Sequence, residues 1–246
     1  MSYKDLFDKL SSITQARLNL GISGVGMPTK PLLAFNYDHS LAKDAVYAQL
    51  NIPILQRSLA ELGLECNLLT TQASTREIYL KRPDLGRKLD KTSLALLTQK
   101  TQEEKDVVVI ISDGLSAKAI QNHAVPFLKE LLPNLNDLRI GKIMLVENGR
   151  VALSDEIGEN TPAKLCILLI GERPGLSSPD SMGIYLTYGP KVGNTDEKRN
   201  CISNIHRHGL SYKLASFKLT YLIRESLHLK LSGVHLKEDT TLRIED

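Results

Sequence analysis

DVVVIIS, residues 106–112, sets five branched aliphatic residues in a row between an aspartate and a serine. A strand with one wet face alternates apolar and polar positions, so an unbroken run is what a strand buried on both faces requires. LSAKAIQNHAVPFLKELLPNL (115–135) follows with the spacing of a helix, with a kink expected at Pro126. GKIMLVENG (141–149) and LCILLI (165–170) repeat the apolar run, and GIYLTYG (183–189) predicts a fourth strand. LSYKLASFKLTYLIRESLHLKLSG (210–233) reads as a long amphipathic helix closed by Gly233. Strands alternating with helices predict an α/β fold: a mostly parallel sheet with helices on both faces, Rossmann-like in its winding.

The first hundred residues have a different texture. FNYDHSLAKDAVYAQL (35–50) spaces its apolar residues as an amphipathic helix does, and NIPILQRSLAELG (51–63) is a second helix with Pro53 near its start and Gly63 at its end. TSLALLTQK (92–100) is a third. The expected division is an N-terminal helical region over 1–100 and an α/β ligand-binding domain over 101–246.

Bulk properties narrow the class of function. The 246 residues suffice for one large domain or a domain with an extension, and 42% hydrophobic with 24% charged residues is ordinary for a globular protein. A net charge of +3 without a dense Lys/Arg block argues against nucleic acid. No apolar run approaches the ~20 residues of a membrane span. MSYKDLFDKLSS lacks the apolar core of a signal peptide. Cys66, Cys166 and Cys201 are widely spaced, which fits a reducing compartment and neither a disulfide framework nor a zinc site. The chain is expected to be cytoplasmic.

Parallel sheets take ligands at the carboxyl ends of their strands, so the polar residues after each run are the candidates. The first run ends in Ser112-Asp113-Gly114-Leu115-Ser116. A turn opening a helix leaves N–H groups free for a phosphate or carboxylate, which supports a nucleotide- or phosphate-binding module as an alternative; equally, Ser116 or Asp113 is a helix cap. His123 shares a helical face with Ser116, but there is no GxSxG elbow and the three residues are too close in sequence for a usual triad. The second run ends in Glu147-Asn148-Gly149-Arg150-Val151, where Asn-Gly reads as a tight turn between strands. Asp155, Glu156 and Glu159 follow closely; hard cations need more oxygen ligands, so a solvated helix or turn is expected. The third run passes into GERPGLSSPDSM (171–182), far richer in donors and acceptors than a connector needs, with Arg173 able to pair with Glu172. NTDEKRNCISNIHRHG (194–209) has no clear periodicity. Cys201 beside His206 has the makings of a nucleophile, although a buried structural cysteine is commoner.

In order, SDGLSAKAIQNHAVPFLKELLP, GRVALSDEIGE, LLIGERPGLSSPDSMGIYLTY and TDEKRNCISNI resemble the small subunit (light chain) of ethanolamine ammonia-lyase, as do PTKPLLAFNYDHSLAKDAVY and YLKRPDLGRKL before them. The resemblance runs from about Ile13 to Lys237. It implies a carbon–nitrogen lyase that converts ethanolamine to acetaldehyde and ammonia, with adenosylcobalamin as cofactor and a large barrel subunit supplying the catalytic side chains. It further implies further copies of this chain in a higher hetero-oligomer. Carried over motif by motif, it places cobalamin contacts on Val151 of Gly-Arg-Val, Glu172 of Gly-Glu-Arg-Pro-Gly and Cys201 of Asn-Cys-Ile-Ser-Asn. It assigns no catalytic residue and no metal ligand to this chain. The helical region then becomes the part that contacts partners. Longer relatives carry extra N-terminal residues associated with delivery into bacterial microcompartments, whereas this chain begins close to the shared region.

Overall fold

A computed structural model describes residues 3–14, 16–98 and 103–237. The expected boundary at 100–101 and the end of the 92–100 helix fall outside these residues. Three helices come first, α1 (Tyr3–Ile13), α2 (Thr29–Tyr47) and α3 (Ile52–Ala60). Then come β1 (Cys66–Thr70), α4 (Arg76–Lys81), a 3-10 turn (Leu85–Arg87), α5 (Lys91–Thr98), β2 (Lys105–Ser112), α6 (Ala117–Leu131), β3 (Ile143–Glu147) and α7 (Leu153–Glu159). The chain continues through β4 (Ala163–Gly171), β5 (Met182–Tyr188), β6 (Arg199–Ile205) and α8 (Tyr212–Leu229). Side-chain oxygens cap four helices at their starts: Asn51 on α3, Thr75 on α4, Ser116 on α6 and Ser211 on α8.

The strands form one six-stranded sheet in the order β1-β3-β2-β4-β5-β6. Strands β1 to β4 are mutually parallel, while β5 runs antiparallel to β4 and β6 antiparallel to β5. The sheet is therefore mixed, with a parallel half and an antiparallel extension. One strand of the parallel half, β1, comes from within the first hundred residues, and β6 comes from the stretch without clear periodicity. Helix α6 continues through Pro126. Helix α8 closes at Lys230 in the left-handed region (φ 57°), and Gly233 instead opens a 3-10 turn.

Alternate residues of β2 divide the core. Val107, Val109 and Ile111 pack with α3 (Leu55, Leu59), α6 (Ile120, Phe127) and α8 (Leu219, Ile223). Val108 and Ile110 pack on the opposite face with α5 (Leu97) and α7 (Leu153, Ile157). Both β5 and β6 contribute to the first face, through Met182, Ile184, Leu186, Ile202 and Ile205. The second face has no counterpart there: its buried cluster holds no residue of either strand, Tyr185 is only partly buried against it, and Cys201 and Ser203 are exposed. On that face Thr187 and Arg199 are buried, Arg199 against Asp155 of α7, so the antiparallel extension is open only around Tyr185, Cys201 and Ser203. Among the described residues no helix is long and apolar enough to cross a membrane.

Candidate functional site

The turn after β2 is jammed against β4. Gly114 has φ 53°, and a Cβ there would lie 2.3 Å from the Gly171 carbonyl oxygen, so only glycine serves. The Leu115 N–H donates to the Gly171 carbonyl (2.9 Å) and the Ser116 N–H to that of Asp113 (3.1 Å). Ser116 Oγ accepts from the Ala119 N–H (3.3 Å) and donates to the Pro179 carbonyl (2.9 Å). Both turn amides are spent inside the chain, and Ser116 is a buried helix cap. Asp113 is buried too; its Oδ1 accepts from the Asn148 N–H (2.7 Å) and its Oδ2 lies 3.3 Å from Arg76 Nη1. Burial pushes its carboxyl up to about 6, against the pull of Arg76 and the Asn148 amide. His123 turns to other partners, with Nδ1 2.7 Å from Tyr212 Oη and Nε2 3.4 Å from Asp180 Oδ2. Desolvation lowers its pKa against the pull of Asp180. Ser116, Asp113 and His123 therefore form no triad.

The turn after β3 leads into α7, not into a second strand. Asn148 takes φ 58°, a conformation asparagine tolerates better than most residues. Gly149 donates its N–H to Ser112 Oγ (3.1 Å). Arg150 stacks on the Tyr79 ring (Cζ 4.1 Å from the centroid) with Arg76 also close to that ring (4.8 Å). Its Nη2 donates to the Tyr79 carbonyl (3.0 Å), and the Tyr79 hydroxyl donates to the Gly149 carbonyl (3.1 Å). This stack fixes the turn that presents Val151, which is half-buried. The following carboxylates share no site and are not simply solvated. Asp155 is buried in an ion pair with Arg199 at the start of β6, Glu156 accepts from the Leu89 N–H, and Glu159 accepts from the Val192 N–H (3.1 Å). Burial raises the Asp155 pKa, opposed by Arg199.

The loop after β4 positions Glu172. Its backbone N–H donates to the Ser181 carbonyl (2.9 Å), continuing the pairing of β4 with β5. Its Oε2 accepts from the Ser181 hydroxyl and from the Asn204 N–H (3.2 Å). That amide is available because β6 carries an extra residue: Met182 pairs Ile205 and Ile184 pairs Ile202, so three steps along β6 match two along β5. Asn204 sits in this bulge at φ 65°. Bulges re-aim backbone groups, and here one aims a donor at a carboxylate. Glu172 has no ion pair with Arg173 among the described residues. The rest of the loop is ordered from within: Ser178 Oγ contacts His206 Nε2 (3.3 Å), and Asn122 Nδ2 donates to Asp180 Oδ2 (3.1 Å).

Val151 and Glu172 line one cavity of about 280 Å³ together with Arg150, Arg173 and Tyr185. Cys201 pairs with Tyr185 across β5–β6. Desolvation raises the pKa of the Cys201 thiol, opposed by the neighbouring Tyr185 hydroxyl. Desolvation also raises the Tyr185 pKa strongly. The thiol is thus kept protonated. His206 is buried, with Nε2 held by Asn204 Oδ1 (2.9 Å) and Ser178, so no Cys–His pair forms. The three residues chosen from sequence meet around Tyr185, which had not been chosen. Its signal lay in GIYLTYG, where Tyr185 alternates with Ile184 and Leu186 and so faces away from the core they enter.

Residues 4–237 match the family model described as Ethanolamine ammonia-lyase light chain (EutC). The chain belongs to that family. It is similar to the ethanolamine ammonia-lyase small subunit of Pseudomonas aeruginosa strain LESB58, 44% identical over 242 residues that cover 96% of this chain and 89% of the relative. The small subunit of Azotobacter vinelandii strain DJ is 46% identical over 238 residues, covering 95% of this chain and 88% of the relative. That of Bradyrhizobium diazoefficiens strain USDA 110 is 45% identical over 237 residues, covering 95% and 91%. Val151, Glu172 and Cys201 all lie within the segment that the light-chain model spans.

Proposed function

We propose that this chain is the small subunit of an ethanolamine ammonia-lyase and forms one half of a cobalamin site, closed by the large subunit. What supports the reading is the open end of the β5–β6 face, where Val151, Glu172 and Cys201 gather about Tyr185. The Rossmann-like winding of the parallel half is what brings the ends of β2, β3 and β4 to this face.

The residues suit the cofactor. Corrin is a broad ring rimmed with carboxamides, so its holder needs apolar area and fixed acceptors. Tyr185 and Val151 offer the area. Glu172 offers a carboxylate held at Oε2 by two donors, with Oε1 lying over Gly183, where a Cβ would stand 2.9 Å away. A carboxylate acceptor strengthens a hydrogen bond from a neutral amide, to roughly 1.5–3 kcal/mol against ~1 for a neutral pair. The protonated Cys201 thiol adds close packing without charge. When bound, adenosylcobalamin supplies the radical chemistry by which the carbon–nitrogen bond is broken. The role of this chain is to bind and orient it and to exclude water from one side.

Helices α1 and α2 fit a contact surface for the large subunit or for further copies of the chain, whereas α3 covers the chain's own sheet through Leu55 and Leu59. Of the residues of α2 only Ala45 is buried, while Leu32, Leu33, Tyr37 and Tyr47 are exposed. Reconstitution tests the whole reading: the isolated chain with adenosylcobalamin releases no acetaldehyde from ethanolamine, and adding the large subunit creates the activity. Activity undiminished when the large subunit acts without this chain refutes it.

A further inference from the structure

A second recess, of about 510 Å³, adjoins the Val151–Glu172 cavity and shares Arg150, Val151 and Tyr185 with it. Its wall also carries Arg87, Thr195, Asp196 and Arg199. The arginines are not equivalent. Arg199 is closed off by Asp155 and Asp196. Arg87 is exposed and Arg150 half-buried, and neither has a carboxylate partner among the described residues. Arg150 Nε is moreover buried with no hydrogen-bond partner.

The recess is built, not incidental. Arg150 donates its N–H to the Gly86 carbonyl (2.8 Å), locking the 3-10 turn onto the turn after β3. A Cβ on Gly86 would lie 2.9 Å from the Asn148 carbonyl oxygen and 3.0 Å from Arg150 Cγ. The close approach that glycine permits brings Arg87 and Arg150 to the same recess. Two uncompensated guanidiniums and the Thr195 hydroxyl suit a phosphate oxygen pair, because the guanidinium fork matches phosphate geometry.

Resting on the cobalamin reading above, we propose that this recess binds the phosphodiester of the cofactor's nucleotide tail, with Arg87 and Arg150 as its ligands. The tail phosphate is the anionic group of cobalamin; the ring's side chains are neutral amides. The corrin contacts at Val151 and Glu172 and the anion contacts at Arg150 and Arg87 then form one continuous trough.

Equilibrium binding to the reconstituted two-subunit complex tests this with two probes, aquocobalamin and aquocobinamide, which lacks the nucleotide tail. Arg87 is exposed, so its replacement spares the Tyr79 stack. Arg87→Gln is expected to weaken aquocobalamin about tenfold, the worth of a charge-assisted hydrogen bond, and to leave aquocobinamide within about twofold. Arg87→Lys is expected to recover most of the loss. Inorganic phosphate is expected to compete with aquocobalamin and not with aquocobinamide. Equal weakening of both probes, or of neither, overturns the proposal while leaving the cobalamin reading intact. Phosphate that binds alongside aquocobalamin assigns the recess to a free anion and also overturns it. A wild-type complex that binds neither corrin overturns both readings together.

Discussion

Replacing Glu172 by alanine in the two-subunit complex removes a carboxylate that the structure holds by design. Its Oε2 accepts from the Ser181 hydroxyl and from the bulge amide of Asn204, its Oε1 lies over Gly183, and the residue lines the cavity. Loss of one hydrogen bond to a charged acceptor costs roughly 1.5–3 kcal/mol, which raises the Kd for cobalamin by about 10- to 150-fold. The two internal bonds go as well, so part of the loss is looser ordering of the loop. Glu172→Gln separates the contributions: it keeps a neutral acceptor and the side-chain volume, and its Kd is expected to rise only about tenfold or less. Spectrophotometric titration of the complex with aquocobalamin reads both values. A Kd in Glu172→Ala equal to that of the wild type refutes the role of this carboxylate.

Two further outcomes follow from the ion pairs. Asp155→Ala leaves Arg199 buried without its main partner, which costs about 3–5 kcal/mol; urea unfolding of the chain is expected to report it, and a loss below ~1 kcal/mol contradicts the assigned geometry. Asp106 is bonded by Arg139 (3.2 Å) and Lys164 (2.9 Å), which hold its carboxyl well below the usual range. A folded-state pKa below the unfolded value of about 3.9 gives stability that is complete above that pH and lost as pH falls. Asp106→Asn is therefore expected to lose stability at neutral pH and to flatten the acid limb of the stability–pH curve; an unchanged acid limb contradicts it.

The parallel half of the sheet was legible because its strands are buried on both faces, which forces runs such as Val107–Ile111 and Leu165–Ile170. The edge strands were not. In β1, CNLLT, Leu68 is exposed and Leu69 buried, and five residues with Asn67 and Thr70 make no run. In β6 the bulge at Asn204 puts Ile202 and Ile205 on the same face three residues apart, which erases the period of two. The antiparallel turn of β5 was illegible for another reason: the length of 171–182 is equally that of a crossover. At the site, Val151, Glu172 and Cys201 came from motifs, whereas Tyr185 needed the pairing register with Cys201 to be noticed. The carboxylates of α7 misled because sequence shows their proximity but not Arg199, which reaches Asp155 from 44 residues away.

In the complex we propose, corrin covers the open end of the β5–β6 face around Tyr185 and Cys201. Alkylation of cysteines in the two-subunit complex, read by mass spectrometry, tests it most directly. Cys201 is exposed, Cys66 intermediate and Cys166 buried, so the other two serve as internal references. Saturating cobalamin is expected to slow labelling of Cys201 about tenfold or more, by burying a side chain that was open, and to leave Cys66 unchanged. Labelling of Cys201 at the same rate with and without cobalamin contradicts it.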